Sequence, residues 1–230
     1  KVINTRCTCI HNWSKDYGGS CWLEQVLSIF ILFCNFSLSN SEKGGVIYGK
    51  SITKFYSQKS IFSHNSAQQL AGVFYLHKLH NLTIVLCTFS NNKAYKSGGA
   101  IYLEHVKVFK NALSKFSYHR AYKGGAIYIQ HVNHTVCSKN SFTYNTAALE
   151  GSAIFVSKGG IFLNIRSSFV KCGTVFSMGT VYLEVTGLFY SIDTVFLDNR
   201  AQSGGSNFLQ KSENLQVLKC KFSSNSVTEY

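Results

Sequence analysis

Apolar and polar residues alternate along this chain in short runs, and the runs recur on a nearly fixed beat. Each begins at a pair of small residues: Gly18-Gly19, Gly44-Gly45, Ala71-Gly72, Gly98-Gly99, Gly124-Gly125, Gly151-Ser152, Met178-Gly179 and Gly204-Gly205. An apolar–aromatic–apolar triplet follows, most clearly in Ala100-Ile101-Tyr102-Leu103 and Ala126-Ile127-Tyr128-Ile129. A second mark keeps the same time. Phe36, Phe62, Phe89, Phe116, Phe142, Phe169, Phe196 and Phe222 are 26, 27, 27, 26, 27, 27 and 26 residues apart. Runs of Val, Ile, Phe, Tyr and Leu alternating with polar residues, and separated by Gly, Ser and Asn, predict strands. No apolar stripe of helical period interrupts them. A constant period of this length marks a stacked array; it is too short for a propeller blade and lacks the leucine-rich pattern. The expectation is all-β: a single-stranded parallel β-helix of about 8–9 coils of 26–27 residues, one domain over 1–230.

Constant coil length turns positions into ladders, with equivalent residues about 4.8 Å apart in neighbouring coils. The phenylalanine slot is expected to lie deepest, since each coil fills it with the same ring. Three residues on comes a polar slot, filled by Ser39, Asn65, Asn92, His119, Asn145, Cys172, Asn199 and Asn225. Stacked amides hydrogen-bond along such a column, and Asn tolerates the left-handed backbone of a corner. This column is therefore read as a structural ladder in preference to a binding site. A second aromatic column is Trp22, Tyr48, Tyr75, Tyr102, Tyr128, Phe155, Tyr182 and Phe208. Strand alternation leaves two arrangements for it. Either the flanking aliphatics point in and the tyrosines form an exposed stripe fit for protein or sugar packing, or the tyrosines are core. The first is favoured. Phe30 and Phe33, in the apolar run Val26–Phe33, join this candidate interaction face; that run is far too short to cross a bilayer.

The motifs Gly98-Gly99-Ala100-Ile101 and Gly124-Gly125-Ala126-Ile127 are joined by Phe62-Ser63-His64-Asn65, Phe89-Ser90-Asn91-Asn92, Phe142-Thr143-Tyr144-Asn145, Phe196-Leu197-Asp198-Asn199 and Phe222-Ser223-Ser224-Asn225. This GGAI and FxxN pattern resembles the repeats of the chlamydial polymorphic outer membrane protein family, over nearly the whole chain. Ser39, His119 and Cys172 depart from it. The resemblance implies a right-handed β-helix at a cell surface, where that family serves adhesion. Similar repeats occur in surface proteins of microbial eukaryotes. Such repeats specify fold far better than function.

Composition adds compartment and charge. Four sequons occur, at Asn12, Asn35, Asn81 and Asn133. Asn35 and Asn81 flank inward slots and are expected to face solvent, whereas Asn12 falls in the polar ladder. Of the eight cysteines, Cys7 and Cys34 share a column one coil apart, which predicts a disulfide; Cys9–Cys21 is a looser expectation. Cys87, Cys137, Cys172 and Cys220 have Ser, Asn or Thr beside them in their columns and are expected to be buried thiols. The formal charge is +13, and Lys59, Lys139, Arg166 and Lys219 recur three residues before the phenylalanine. A basic face attracts acidic polysaccharide, anionic membrane or nucleic acid, but solubility and protection against lateral sheet pairing are the favoured explanation. No nucleic-acid module accompanies it.

Catalysis of the polysaccharide lyase or hydrolase kind needs a carboxylate cluster. Only Asp16, Asp193 and Asp198 supply aspartates, and Glu24, Glu104 and Glu184 share a slot several coils apart. His77, His80, His105, His131 and His134 read as residues of solvated returns. No metal or cofactor is expected. The chain opens on Lys1 inside a coil and stops at Tyr230, where the next glycine pair would fall. Bare coil ends predict a fragment or partner chains, and end-to-end stacking would propagate as a fibre. The functional expectation is a secreted or cell-surface, glycosylated, non-catalytic scaffold that forms a filament or coat. The alternative is an adhesin that binds a glycan or receptor through the aromatic column and basic face.

Overall fold

A computed structural model of the protein describes residues 1–173, 176 and 178–227, with Phe208 by its backbone alone. The expected chain end at Tyr230 and the side chain of Phe208 lie outside the described residues. All named elements are strands and all their pairings are parallel, wound as a β-solenoid of about eight turns. In the central coils each turn has a long strand and two short ones. One turn runs Phe74–Val85, Thr88–Ser90 and Lys93–Ala94; the next runs Ile101–Ala112, Lys115–Ser117 and Arg120–Lys123. Like strands stack on like, giving sheets of 13, 9 and 5 strands and a two-stranded sheet of Arg200–Ala201 with Ser226–Val227, with the long strands split in two in the outer coils.

Register follows the sequence beat. Phe36 pairs with Phe62, Phe62 with Phe89, Phe89 with Phe116, and so on to Phe196 with Phe222. Their rings lie parallel along the axis, with centroids 4.7–5.4 Å apart from Phe36 to Phe222. Cys9 precedes them in the same slot. Phe55, Phe74, Phe109, Phe162 and Phe189 complete one continuous core with the inward aliphatics of the long strands.

The corners are made by residues with left-handed backbone, in three non-glycine columns. One comprises Phe33, Lys59, Leu86, Leu113, Lys139, Arg166, Asp193 and Lys219; another, Leu38, His64, Asn91, Tyr118, Tyr144, Lys171, Asp198 and Ser224. The third bends the long strands at Ser51, Lys78, His105 and His131. An L-residue in this conformation costs roughly 1–2 kcal/mol, yet corner N–H groups keep partners, as in Leu86 N–H to Ala112 O at 3.0 Å. The expected left-handed asparagines are thus displaced by one residue: the bend falls just before each ladder residue. The basic column is this first corner column. It is broken by Leu86, Leu113 and Asp193, so it forms no continuous cationic face.

The glycine pairs do two jobs. Gly98 sits at φ 67°, and in the same slot Ala71 adopts φ 60°. Gly99 is required by the neighbouring coil, because a Cβ there would lie 2.0 Å from the Gly125 carbonyl oxygen. Coil spacing therefore forbids a side chain at this point. Gly99→Ala is expected to lower stability by about 2–3 kcal/mol through overpacking, measured by urea denaturation. A loss below about 1 kcal/mol would show that the coils spread freely.

Candidate functional site

The polar ladder is buried as far as Asn199, with Asn225 half-buried, and its asparagines hold the coils together. Each asparagine grips two backbone groups of the preceding coil. Asn92 Oδ1 accepts from Asn65 N–H at 2.9 Å, while Asn92 Nδ2 donates to Phe62 O at 2.9 Å. Asn65 makes the same pair of bonds to Ser39 N–H and Phe36 O, and Asn199 to Cys172 N–H and Phe169 O. Asn145 and Asn225 repeat the pattern on His119 N–H with Phe116 O, and on Asn199 N–H with Phe196 O. His119 substitutes imperfectly. Its Nδ1 accepts from Asn92 N–H at 3.1 Å, but its buried Nε2 finds no partner. Burial pushes the ring's pKa down to about 3.

The tyrosine column corrects the expected exposed stripe. Its rings do point away from the main core, since Phe74, Leu76, Ile101 and Leu103 point in. They are nevertheless covered: Tyr75 and Tyr102 are each only 8% exposed and pack with Ala71 and Leu70 in a second cluster. The stack runs Tyr48, Tyr75, Tyr102, Tyr128, Phe155, Tyr182 at 4.8–5.2 Å, with Lys123 Nζ 5.3 Å from the Phe155 centroid. Flat stacking at coil spacing hides the ring faces that a sugar would need. Trp22 is the exception. Tyr17 takes its place against Tyr48 at 4.5 Å, and Trp22 stays exposed. Phe33 is also exposed, at a corner under Lys59, and Phe30 is half-buried beside Tyr56.

Hydroxyls of this column meet the polar slot of the next coil. Tyr75 donates to Glu104 Oε2 at 3.2 Å and Tyr102 to Gln130 Oε1 at 3.2 Å. Burial, with Glu184 and Glu150 nearby, raises the Tyr128 pKa to about 12. His77 Nδ1 lies 3.3 Å from Glu104 Oε2, and burial holds its pKa below the usual histidine range despite that carboxylate. His105 stacks on His131 at 4.6 Å. Among the described residues, no three or more His, Cys, Asp or Glu side chains are grouped to hold a metal ion.

All eight cysteines are free thiols, so neither expected disulfide is present. Cys7 and Cys34 are neighbours at the first coil boundary, where burial and Cys7 together raise the Cys34 pKa. Cys9 and Cys21 occupy different inward slots, opposite Phe36 and Ile47, which explains why that pairing does not form. Cys87, Cys137 and Cys172 are buried and Cys220 partly so; burial raises Cys137 and Cys172 to about 12. Of the sequons, Asn81 and Asn133 are exposed. Asn35 lies on the outward side between buried Cys34 and Phe36, as expected, but it is half-buried and its Oδ1 is covered without a partner. Asn12 lies inside the ladder region, where it donates to Ser20 Oγ at 3.0 Å.

A surface site emerges on the third, short sheet, and no residue in it had been singled out from the sequence. A groove of about 900 Å³ crosses the coils from Asn40 to Ala148. Its floor is the buried alanines Ala67, Ala94 and Ala121; one edge carries Lys93 and Arg120, the other Tyr95 and Tyr122. The signal was available. Counting four to six residues past each phenylalanine gives Lys93-Ala94-Tyr95 and Arg120-Ala121-Tyr122 in successive coils.

Residues 86–104 match the profile of the Chlamydia polymorphic membrane protein repeat. Comparison with curated proteins and with solved structures found no match. The repeat match and the parallel solenoid together fit a β-helix repeat protein of the polymorphic membrane protein type. Among the described residues no helix is long and apolar enough to cross a membrane.

His119 gives the ladder a measurable pH dependence. Its folded pKa lies below the ordinary value of 6.5, so acidification protonates the unfolded chain first. Its contribution is complete above pH 6.5 and is lost toward pH 3, at about 1.4 kcal/mol per pH unit. His119→Asn restores the amide clamp and is expected to remove that slope. Chemical denaturation of both proteins at several pH values between 7 and 4 measures it; equal slopes would show the ring is hydrated.

Proposed function

We propose that this chain is a surface-associated, non-catalytic β-helix scaffold, built to form a rigid rod and to continue as a fibre or coat. The observation that carries this reading is where the polar chemistry goes. The buried asparagines of the corner ladder bind backbone of the adjoining coil, and the tyrosine hydroxyls bind the next coil's acids and amides. Side chains in such bonds lock coils together and are not free to act on a substrate. The repeat match supports surface association, since the repeat is named for a membrane protein. Exposed Asn81 and Asn133 support a glycosylated, secreted route.

Fibre growth needs faces that accept another coil. The phenylalanine and asparagine slots are self-complementary along the axis, each stacking on or gripping its own copy in the adjoining coil. A further coil, of this polypeptide or of a second copy, would extend the phenylalanine stack and the amide ladder without new chemistry. Adhesion through the tyrosine column is disfavoured by the burial of its rings.

Electron microscopy and fibre diffraction of the native material test the scaffold reading. Rods or filaments with an axial reflection at about 4.8 Å are expected. Dispersed single particles of one chain, at all concentrations and without rod-like extensions, would overturn assembly.

A further inference from the structure

On the short sheet the interlocking leaves a set of described side chains without a structural use. Lys93 and Arg120 are register partners in adjacent coils, so their side chains leave the same edge about 4.8 Å apart. Both are exposed, and among the described residues neither makes an ion pair or a side-chain hydrogen bond. Like charges directly opposite one another destabilise a sheet. At other points the fold sets opposite charges across coils, as in Lys50 with Glu24 at 2.8 Å and Lys123 with Glu150 at 2.6 Å. The Lys93–Arg120 step has no such relief.

Strand alternation fixes the rest of the cross-section. After each cation an alanine turns inward, then a tyrosine turns out, so Tyr95 and Tyr122 stand along the opposite edge. They are 79% and 51% exposed. The stacked tyrosine column, by contrast, is covered. Behind the cations a second trough of about 270 Å³ holds Tyr118, which stacks on Tyr144 at 4.9 Å. A ridge of unpaired positive charge therefore runs between exposed aromatic rings, over a smooth floor of methyl groups. The groove carries no Asp or Glu in its lining.

We propose that this groove binds an acidic polysaccharide laid along the solenoid axis. The apolar faces of the sugars lie against Tyr95 and Tyr122. Carboxylate or sulfate groups sit on Lys93 and Arg120, where charge-assisted hydrogen bonds are strongest. The groove crosses five coils, roughly 19 Å at about 4.8 Å per step, which suits a chain and not a single small molecule. Single-stranded nucleic acid fits less well. Its bases need open platforms for successive stacking, and two rings one coil apart leave no room for a base between them. This site does not depend on fibre formation.

The test uses the full chain and four immobilised probes: heparin, polygalacturonate, neutral dextran and a single-stranded oligonucleotide. Binding to heparin or polygalacturonate that weakens with salt, and none to dextran, is expected. Lys93→Gln with Arg120→Gln should weaken it about tenfold, and Tyr95→Ala, at unchanged charge, about fivefold. Lys139→Gln with Lys219→Gln removes the same charge from the corner column and should change binding less than about twofold. All these positions are exposed, and circular dichroism of each variant checks that the coils persist. Equal loss in both double variants would reduce binding to net charge and overturn the site. So would an unaffected Tyr95→Ala variant, tighter binding of the oligonucleotide, or no binding to either polyanion. None of those results bears on whether rods form.

Discussion

In-register stacking of parallel coils is the constraint on which everything else in this molecule depends. Each slot faces its own copy about 4.8 Å away, so a residue must be compatible first with itself. Phenylalanine meets that demand by parallel ring stacking at 4.7–5.4 Å. Asparagine meets it by offering an acceptor and a donor to one preceding coil. Glycine at position 99 meets it by having no side chain at all, where the carbonyl of Gly125 closes the space.

Because the demand is repetitive, local costs are repeated and must be offset by cooperation along the axis. Every coil carries several left-handed corner residues, among them large ones such as Leu86, Tyr118 and Arg166. These conformations persist because the corner N–H groups still donate to the adjoining coil. Where a slot is filled by a poorer match, the defect is local. His119 keeps the acceptor half of the asparagine clamp but leaves Nε2 buried and unpaired.

The same rule separates structure from candidate function. Tyr75 and Tyr102 chemically resemble a ligand platform, yet their flat stacking and hydroxyl bonds to Glu104 and Gln130 make them part of the frame. Tyr95 and Tyr122 have the same chemistry and none of that engagement. What distinguishes the two pairs is coverage by the corner that passes beside Leu70, not residue type.

The sequence by itself determined the architecture, because a 26–27-residue beat admits only equal coils, and equal coils dictate the phenylalanine and asparagine ladders. Those slots lie on the axis of repetition, where one-dimensional spacing is also three-dimensional contact. Burial of outward-facing residues was not legible in that way. Whether Tyr75 is open depends on how the neighbouring corner folds over it, and the covering of Asn35 Oδ1 depends on the side chains packed around it. The left-handed position fell one residue before the ladder because the amide must turn inward to grip the preceding coil. The Lys93–Arg120 groove was written in the register, but only the path of the short sheet decided that its cations would stand unpaired beside exposed tyrosines. Periodicity fixes neighbours along the axis; lateral packing of the three sheets around each coil fixes what solvent can reach.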